Sequence, residues 1–309
     1  RIYFLGMPAM AVYNFGNAVF SAVGNTKKPL LFLTTAGVAN VVMNLFFVIV
    51  CGLGVAGVAI ASAASQCICA VLIIVSLLRS KENIALRPHA LKVSPDKARF
   101  VLRLGIPAGF QNAIFAIANL FIQSGVNSFD AVTVEGNSAA ANSDALVYDV
   151  MNAFYMACSS FISQNMGAKK KKRMLQSYFI SLAYSFGAGA VLGLSLVVFG
   201  RQFLSLFTKD AAVMEAGMAR LRVMGFSYMV SAFMDNTIAA SRGLGKALVP
   251  TIIVILGSCV FRVVWVYTIF AYFHTIDSLY LLYVFSWTIT AVAEILYFAK
   301  SYRKLAATL

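Results

Sequence analysis

Apolar residues in this chain come in blocks of about twenty, and that block length decides which solvent the fold must live in. Residues 278–299, SLYLLYVFSWTITAVAEILYFA, carry a single charge, Glu294. A helix rising 1.5 Å per residue needs about 20 such residues to cross a hydrocarbon core of roughly 30 Å. Nine spans are predicted, at 2–23, 30–50, 55–78, 100–128, 139–166, 174–199, 223–241, 249–273 and 278–299. Pro107 is expected to bend the fourth or delay its start. Charged residues make up 12% of the chain, about half the share in a soluble domain. The short alternating strands of a barrel are absent. The chain therefore reads as an all-α polytopic membrane protein.

The net charge of +14 reads as the basic excess of cytoplasmic loops and not as a nucleic-acid surface. Loops after the odd-numbered spans hold Lys27 and Lys28; Arg79, Lys81, Arg87, Lys92, Lys97 and Arg99; Lys169 to Arg173; Arg242 and Lys246; and Lys300, Arg303 and Lys304. The alternate loops hold Arg201, Lys209, Arg220 and Arg222 among acids such as Glu135 and Glu215. The first set, and with it the C-terminus, is placed in the cytoplasm. The run KKKKR is then a topology anchor, with lipid headgroups as a secondary contact. Cys51, Cys67, Cys69, Cys158 and Cys259 read as buried packing residues without a disulfide or metal role. His89 and His274 fall in loops. Neither a metal cluster nor a nucleophile with a partner base is visible, which argues against an enzyme.

The stretch GMPAMAVYNFGNAVFSAVGNTK (6–27) is echoed by GFSYMVSAFMDNTIAASRGLGK (225–246), with five identities at an offset of 219. Each is followed by a Pro, Pro29 or Pro250, and another span. Parallel repeats of this kind are a plan of secondary transporters. The chain starts at Arg1, directly on a span and without Met. Equal halves would require about three further spans before it. The expected organisation is residues 1–96 as the second half of an N-terminal lobe and 97–309 as a six-helix C-terminal lobe.

Three stretches resemble the multidrug and toxic compound extrusion (MATE) family, in a bacterial branch: GLGVAGVAIASAASQ (52–66), RLGIPAGFQNAIFAIANLFIQSGVNSF (103–129) leading into FISQNMGAKKKKR (161–173), and RGLGKALVP (242–250) followed by FRVVW (261–265). The resemblance runs over essentially the whole chain and makes its spans helices four to twelve of twelve. It implies two six-helix lobes related by a parallel pseudo-twofold, the first incomplete. It also implies an antiporter in the bacterial inner membrane, with Na⁺ or H⁺ as the coupling ion and no other cofactor. Such a protein exports organic cations or amphipathic drugs by alternating access. A monomer is expected. Some branches carry a Glu in the seventh helix, where this chain has Gln111, Asn112 and Phe115.

Ionisable residues at membrane depth are functional candidates, because each costs roughly 2.5–3.5 kcal/mol at a helix centre. Here they are Asp144, Asp149, Asp235, Arg262 and Glu294. Counting from the nearest loop, Asp235 and Glu294 lie at similar depth, roughly 10 Å and 9 Å from the inner boundary. No basic residue is expected at their level, so a proton or a cation must neutralise them. Asp149 and Arg262 both fall near the midplane and are expected to pair. Asp144 lies near the outer boundary, within reach of water. Among the amides and aromatics, Asn14, Asn17, Asn44, Gln111, Asn112, Asn119, Asn236, Phe115, Tyr148, Phe154 and Tyr155 are candidate cavity residues. A flippase of a lipid-linked precursor is the alternative reading. It would need several deep Arg or Lys residues for pyrophosphate, and Arg262 is the one deep cation the sequence places.

Overall fold

A computed structural model describes residues 2–80 and 84–308, the Thr308 side chain excepted; Arg1 and Lys81 lie outside them. All nine predicted spans are helical. After a single turn at Ile2–Leu5 come α1 (Met7–Ala22), α2 (Lys27–Val50), α3 (Gly54–Leu78), α4 (Pro95–Val126), α5 (Ala131–Gly167), α6 (Lys171–Leu204), α7 (Ala211–Gly243), α8 (Leu248–Phe273) and α9 (Ile276–Thr308). Seven of these are long and apolar enough to cross a membrane. The other two are α1, with 16 residues, and α7, whose length is ample but which carries Glu215, Arg220, Arg222 and Asp235.

Several helices outrun their apolar blocks. α5 begins at Ala131 and α7 at Ala211, each after an aspartate that caps it. Asp130 accepts from the Thr133 N–H at 3.2 Å and Asp210 from the Ala212 N–H at 2.8 Å. A carboxylate there satisfies free amides and meets the positive end of the helix dipole. Hydrogen bonding to Thr133 holds the Asp130 carboxyl below its ordinary pKa. α4 begins at Pro95, not late, so Pro107 sits inside a continuous helix.

The chain divides into two compact units, Arg1–Val93 and Ser94–Leu309. In the first, α1, α2 and α3 pack around Tyr13, Phe20, Ala36, Cys69, Ile73 and Leu77. The Tyr13 hydroxyl donates to the Pro29 carbonyl at 3.1 Å. Cys51 and Cys67 are exposed, against expectation, whereas Cys69, Cys158 and Cys259 are buried, and all five are free thiols. Cys67 and Cys69 diverge because residues two apart on a helix point to different sides.

The two copies of the internal echo close with the same turn. After α1, the Gly24 N–H bonds the Ser21 carbonyl and the Asn25 N–H the Phe20 carbonyl; after α7, Gly245 bonds Arg242 and Lys246 bonds Ser241. Both are Schellman caps with a left-handed glycine, φ 80° at Gly24 and 71° at Gly245. The next helices start at Lys27 and Leu248. The structural offset is therefore 221, the offset of Pro29 from Pro250, and not the 219 of the identities. Those identities slip two residues at the turn.

In the second unit α7 is the central rod. It is buried along most of its length and packs against α5, α6 and α9. Small residues let it come close. A Cβ on Gly193 of α6 would collide with the Gly225 carbonyl of α7, and one on Gly136 of α5 would meet the Val213 carbonyl at 2.6 Å. Such contacts replace hydrophobic burial as the cohesive force between helices in lipid. Gly193→Val is expected to prevent recovery of monodisperse protein by size exclusion, because a backbone atom cannot move aside as a side chain can. Gly187→Val on the same helix, where a Cβ meets nothing within 4 Å, should behave as the parent.

Candidate functional site

Faces of α4, α5 and α7 line a half-open cavity of about 620 Å³ within the second unit, to which α8 and α9 also contribute. The lining residues follow helical stripes. On α7 they are Arg220, Met224, Tyr228, Ser231, Met234 and Asp235; on α5, Asn137, Ala141, Asp144, Tyr148 and Met151. Steps of three and four keep each set on one side of its helix. α4 contributes Gln111, Asn112, Phe115 and Asn119, α8 contributes Arg262, and α9 contributes Tyr283 and Trp287.

Three polar groupings line or border this space. The first is a closed ion pair. Arg220, buried on α7, donates to Asp144 of α5 and to Asn137 Oδ1 at 2.9 Å. The Tyr228 hydroxyl donates to the other Asp144 oxygen, and Tyr280 donates to Asn137 at 3.2 Å. The rings of Tyr280 and Tyr283 lie 5.6 and 5.5 Å from the guanidinium carbon.

The second grouping is built on Arg262, which is 2% exposed. Its Nε donates to Ser286 at 3.2 Å and its Nη1 to Asn119 at 3.3 Å. Tyr283, Phe115 and Trp287 surround it at 4.8, 5.3 and 5.8 Å. The helix carrying it widens to i→i+5 bonding on both sides, over Ile255–Val260 and Val266–Phe270. Such insertions re-aim side chains and concentrate at functional sites.

The third joins Asp235, Glu294 and Arg242. Asp235 lines the cavity. Glu294 is fully buried, and neither carboxylate oxygen has a hydrogen-bond partner. Both carboxylates lie in the field of Arg242, Glu294 also in that of Asp235, and Asp235 also in that of Arg262. Arg242 belongs to α7 and not to a loop. It donates to Gln111 Oε1 at 3.0 Å, an oxygen that Thr251 also approaches at 3.3 Å.

The structure redraws several expected sites. Asp149 does not pair with Arg262. It is exposed on α5 and outside the cavity lining, while Arg262 bonds a serine and an amide. The ion pair is Asp144 with Arg220, a residue assigned from sequence to a loop. Asp235 and Glu294 have cations nearby after all, because Arg242 lies within their helix bundle. Gln111, Asn112, Phe115, Asn119 and Tyr148 do line the cavity. Tyr155 and Asn236 are buried in helix packing instead, Asn236 donating to the Tyr178 carbonyl at 3.3 Å, and Phe154 stacks on Tyr184. Asn14, Asn17 and Asn44 belong to the first unit. Asn17 accepts from Ser21 at 3.4 Å, Asn44 donates to Asn40 at 3.0 Å, and Asn14 is exposed. Sequence reading missed Asn137, Arg220, Tyr228, Tyr283 and Trp287. The regular spacing of Arg220, Met224, Tyr228, Ser231 and Asp235 was the available signal. Among the described residues no group of three or more His, Cys, Asp or Glu could hold a metal ion.

The second unit is thus a helix bundle whose polar stripes turn onto a shared cavity. The MatE family profile matches residues 107–268, and the chain belongs to that family. It is 27% identical over 258 residues to the probable multidrug resistance protein YpnP of Bacillus subtilis, which covers 82% of this chain and 57% of the relative. It is 24% identical over 220 residues to a FAD transporter of Shewanella oneidensis, covering 69% of this chain and 48% of that one. The chain thus spans about half the length of the curated relatives it matches. A MATE protein solved in a bent conformation superposes with a TM-score of 0.88 at 19% identity, over 100% of this chain and 69% of the other. The likeness in structure shows the fold.

Proposed function

We propose that the chain is part of an ion-coupled antiporter that exports amphipathic organic compounds across the bacterial inner membrane, its C-terminus cytoplasmic. The observation that carries this reading is the cavity of about 620 Å³ with a carboxylate, Asp235, in its wall and a second, buried and unpartnered carboxylate, Glu294, within that group's electrostatic reach. Na⁺ or H⁺ occupies this acidic pair, and the aromatic wall receives the substrate. Asp235 and Glu294 bias which side of the membrane the cavity opens to. Relatives named as multidrug resistance proteins and as a FAD transporter support small organic molecules as substrates.

The test is efflux of ethidium and of a flavin from proteoliposomes under separately imposed Na⁺ and proton gradients. Export driven by either gradient is the expected result. Transport indifferent to both would refute the coupling.

One observation favours the flippase as a second reading. Arg262 is not the lone deep cation, because Arg220 is also buried on the cavity wall. Asp144 neutralises that second charge, which keeps the exporter ahead. Scrambling of a fluorescent polyprenyl diphosphate without an ion gradient would reverse the order.

A further inference from the structure

Among the described residues, the cavity wall carries two guanidiniums, and that of Arg262 has no carboxylate at ion-pair distance. The guanidinium of Arg220 is paired with Asp144. That of Arg262 meets only neutral partners, Ser286 and Asn119, and its Nη2 is buried with no hydrogen-bond partner. No ion pair links it to Asp235, although the two charges feel each other and share the cavity. A guanidinium cannot shed its proton to escape burial. Leaving a buried donor of a charged group unmet is costly. The surroundings soften the charge through cation–π contacts but offer Nη2 no acceptor. They add Phe115, Tyr283 and Trp287 around the charge, a wall that suits a flat apolar body. Two stretches of widened helix flank Arg262, an irregularity that tends to gather at functional sites.

We propose that Arg262 is the docking point for an anionic group, a carboxylate, sulfonate or phosphate, on an aromatic amphipath whose rings lie against Phe115, Tyr283 and Trp287. The inference rests on the reading of this cavity as a substrate site and reverses the charge of the substrate expected from sequence. The planar guanidinium suits such a group through two parallel N–H···O bonds, using Nη2 and a donor now spent on a neutral oxygen. It also changes what coupling means. Substrate and ion do not compete for one carboxylate. The substrate's anion sits on Arg262, the ion on Asp235 and Glu294, and exchange runs through which side is open.

A matched pair of probes tests this: 1-pyrenesulfonate and 1-pyrenemethylammonium, with one apolar body and opposite charges. Binding to the purified protein in dodecyl maltoside is read as energy transfer from the two tryptophans, of which Trp287 lines the cavity. The sulfonate is expected to bind saturably and about tenfold or more tighter than the ammonium. Arg262→Gln should erase that preference, and Arg262→Lys, which keeps the charge but loses the paired planar donors, should keep only part of it. Asp235→Asn should tighten the sulfonate, because it removes the competing anion, and weaken the ammonium. If Arg262→Gln does not fold, the Asp235→Asn arm decides alone. Tighter ammonium binding, non-saturable transfer, or sulfonate affinity unchanged in Asp235→Asn would overturn the proposal. Selective sulfonate binding without ion-driven efflux would instead sink the antiporter and leave this site standing.

Discussion

Asp144→Ala is expected to lower the stability of the second unit by about 3–5 kcal/mol, the cost of leaving a buried charge without its partner. Arg220 keeps its charge whatever happens to its neighbour, and its side chain is 6% exposed. Without Asp144 it retains one hydrogen bond, to Asn137, and the faces of two tyrosines. Tyr228 loses its acceptor as well. The reverse deletion should be milder. Arg220→Met leaves a carboxylate whose side chain is 30% exposed and which cavity water can hydrate. The double variant Asp144→Leu with Arg220→Met should recover most of the loss, because apolar groups of similar volume often replace a buried pair at little cost. Thermal unfolding followed by intrinsic fluorescence in maltoside gives the order of the three. Asp144→Ala no less stable than Arg220→Met would show that Arg220 does not depend on this carboxylate.

That pair also shows what a sequence reading of such a chain can reach. Helix existence was legible, because lipid demands an unbroken apolar run and the run is visible as composition. Helix ends were not, because apolar blocks report contact with lipid and not helicity. α7 begins at Ala211, twelve residues before its apolar block, and so Arg220 was assigned to a loop. The capping aspartates, Asp130 and Asp210, were the better markers of where helices start. Depth estimates failed for a different reason. Rise along an axis gives height and says nothing of direction around it. Asp149 follows Asp144 by five residues, about 140° around the helix, so when Asp144 faces the cavity Asp149 faces away. Stripe analysis would have recovered direction. Asn137, Asp144, Tyr148 and Met151 share one face of α5, and Asp149 belongs to another. The pairing of the repeats slipped for a related reason. Identities in a biased composition are weak, whereas the left-handed glycines Gly24 and Gly245 are required by the turn itself.

Asp235→Asn and Glu294→Gln are expected to abolish gradient-driven export while leaving the protein folded. The argument begins with Glu294. A carboxylate with no exposure and no partner for either oxygen contributes nothing to packing that an amide of the same shape would lose. Its isosteric replacement should therefore leave the unfolding temperature little changed. A structural carboxylate behaves otherwise: removing it strands its donors, as with Asp144. Asp235 differs in standing at the cavity wall, where an ion arriving through water meets it first. Both share the field of Arg242, which disfavours a second cation and limits how strongly an ion is held. Release is as necessary as binding if the ion is to leave on the other side. In proteoliposomes, each variant should export at the rate of protein-free vesicles under an imposed Na⁺ or proton gradient. Asp149→Asn, which alters an exposed carboxylate outside the cavity lining, should export as the parent does. Full coupling in Glu294→Gln would remove that residue from the ion path and leave Asp235 to act alone. Full coupling in both would mean that the acids of this unit do not carry the ion.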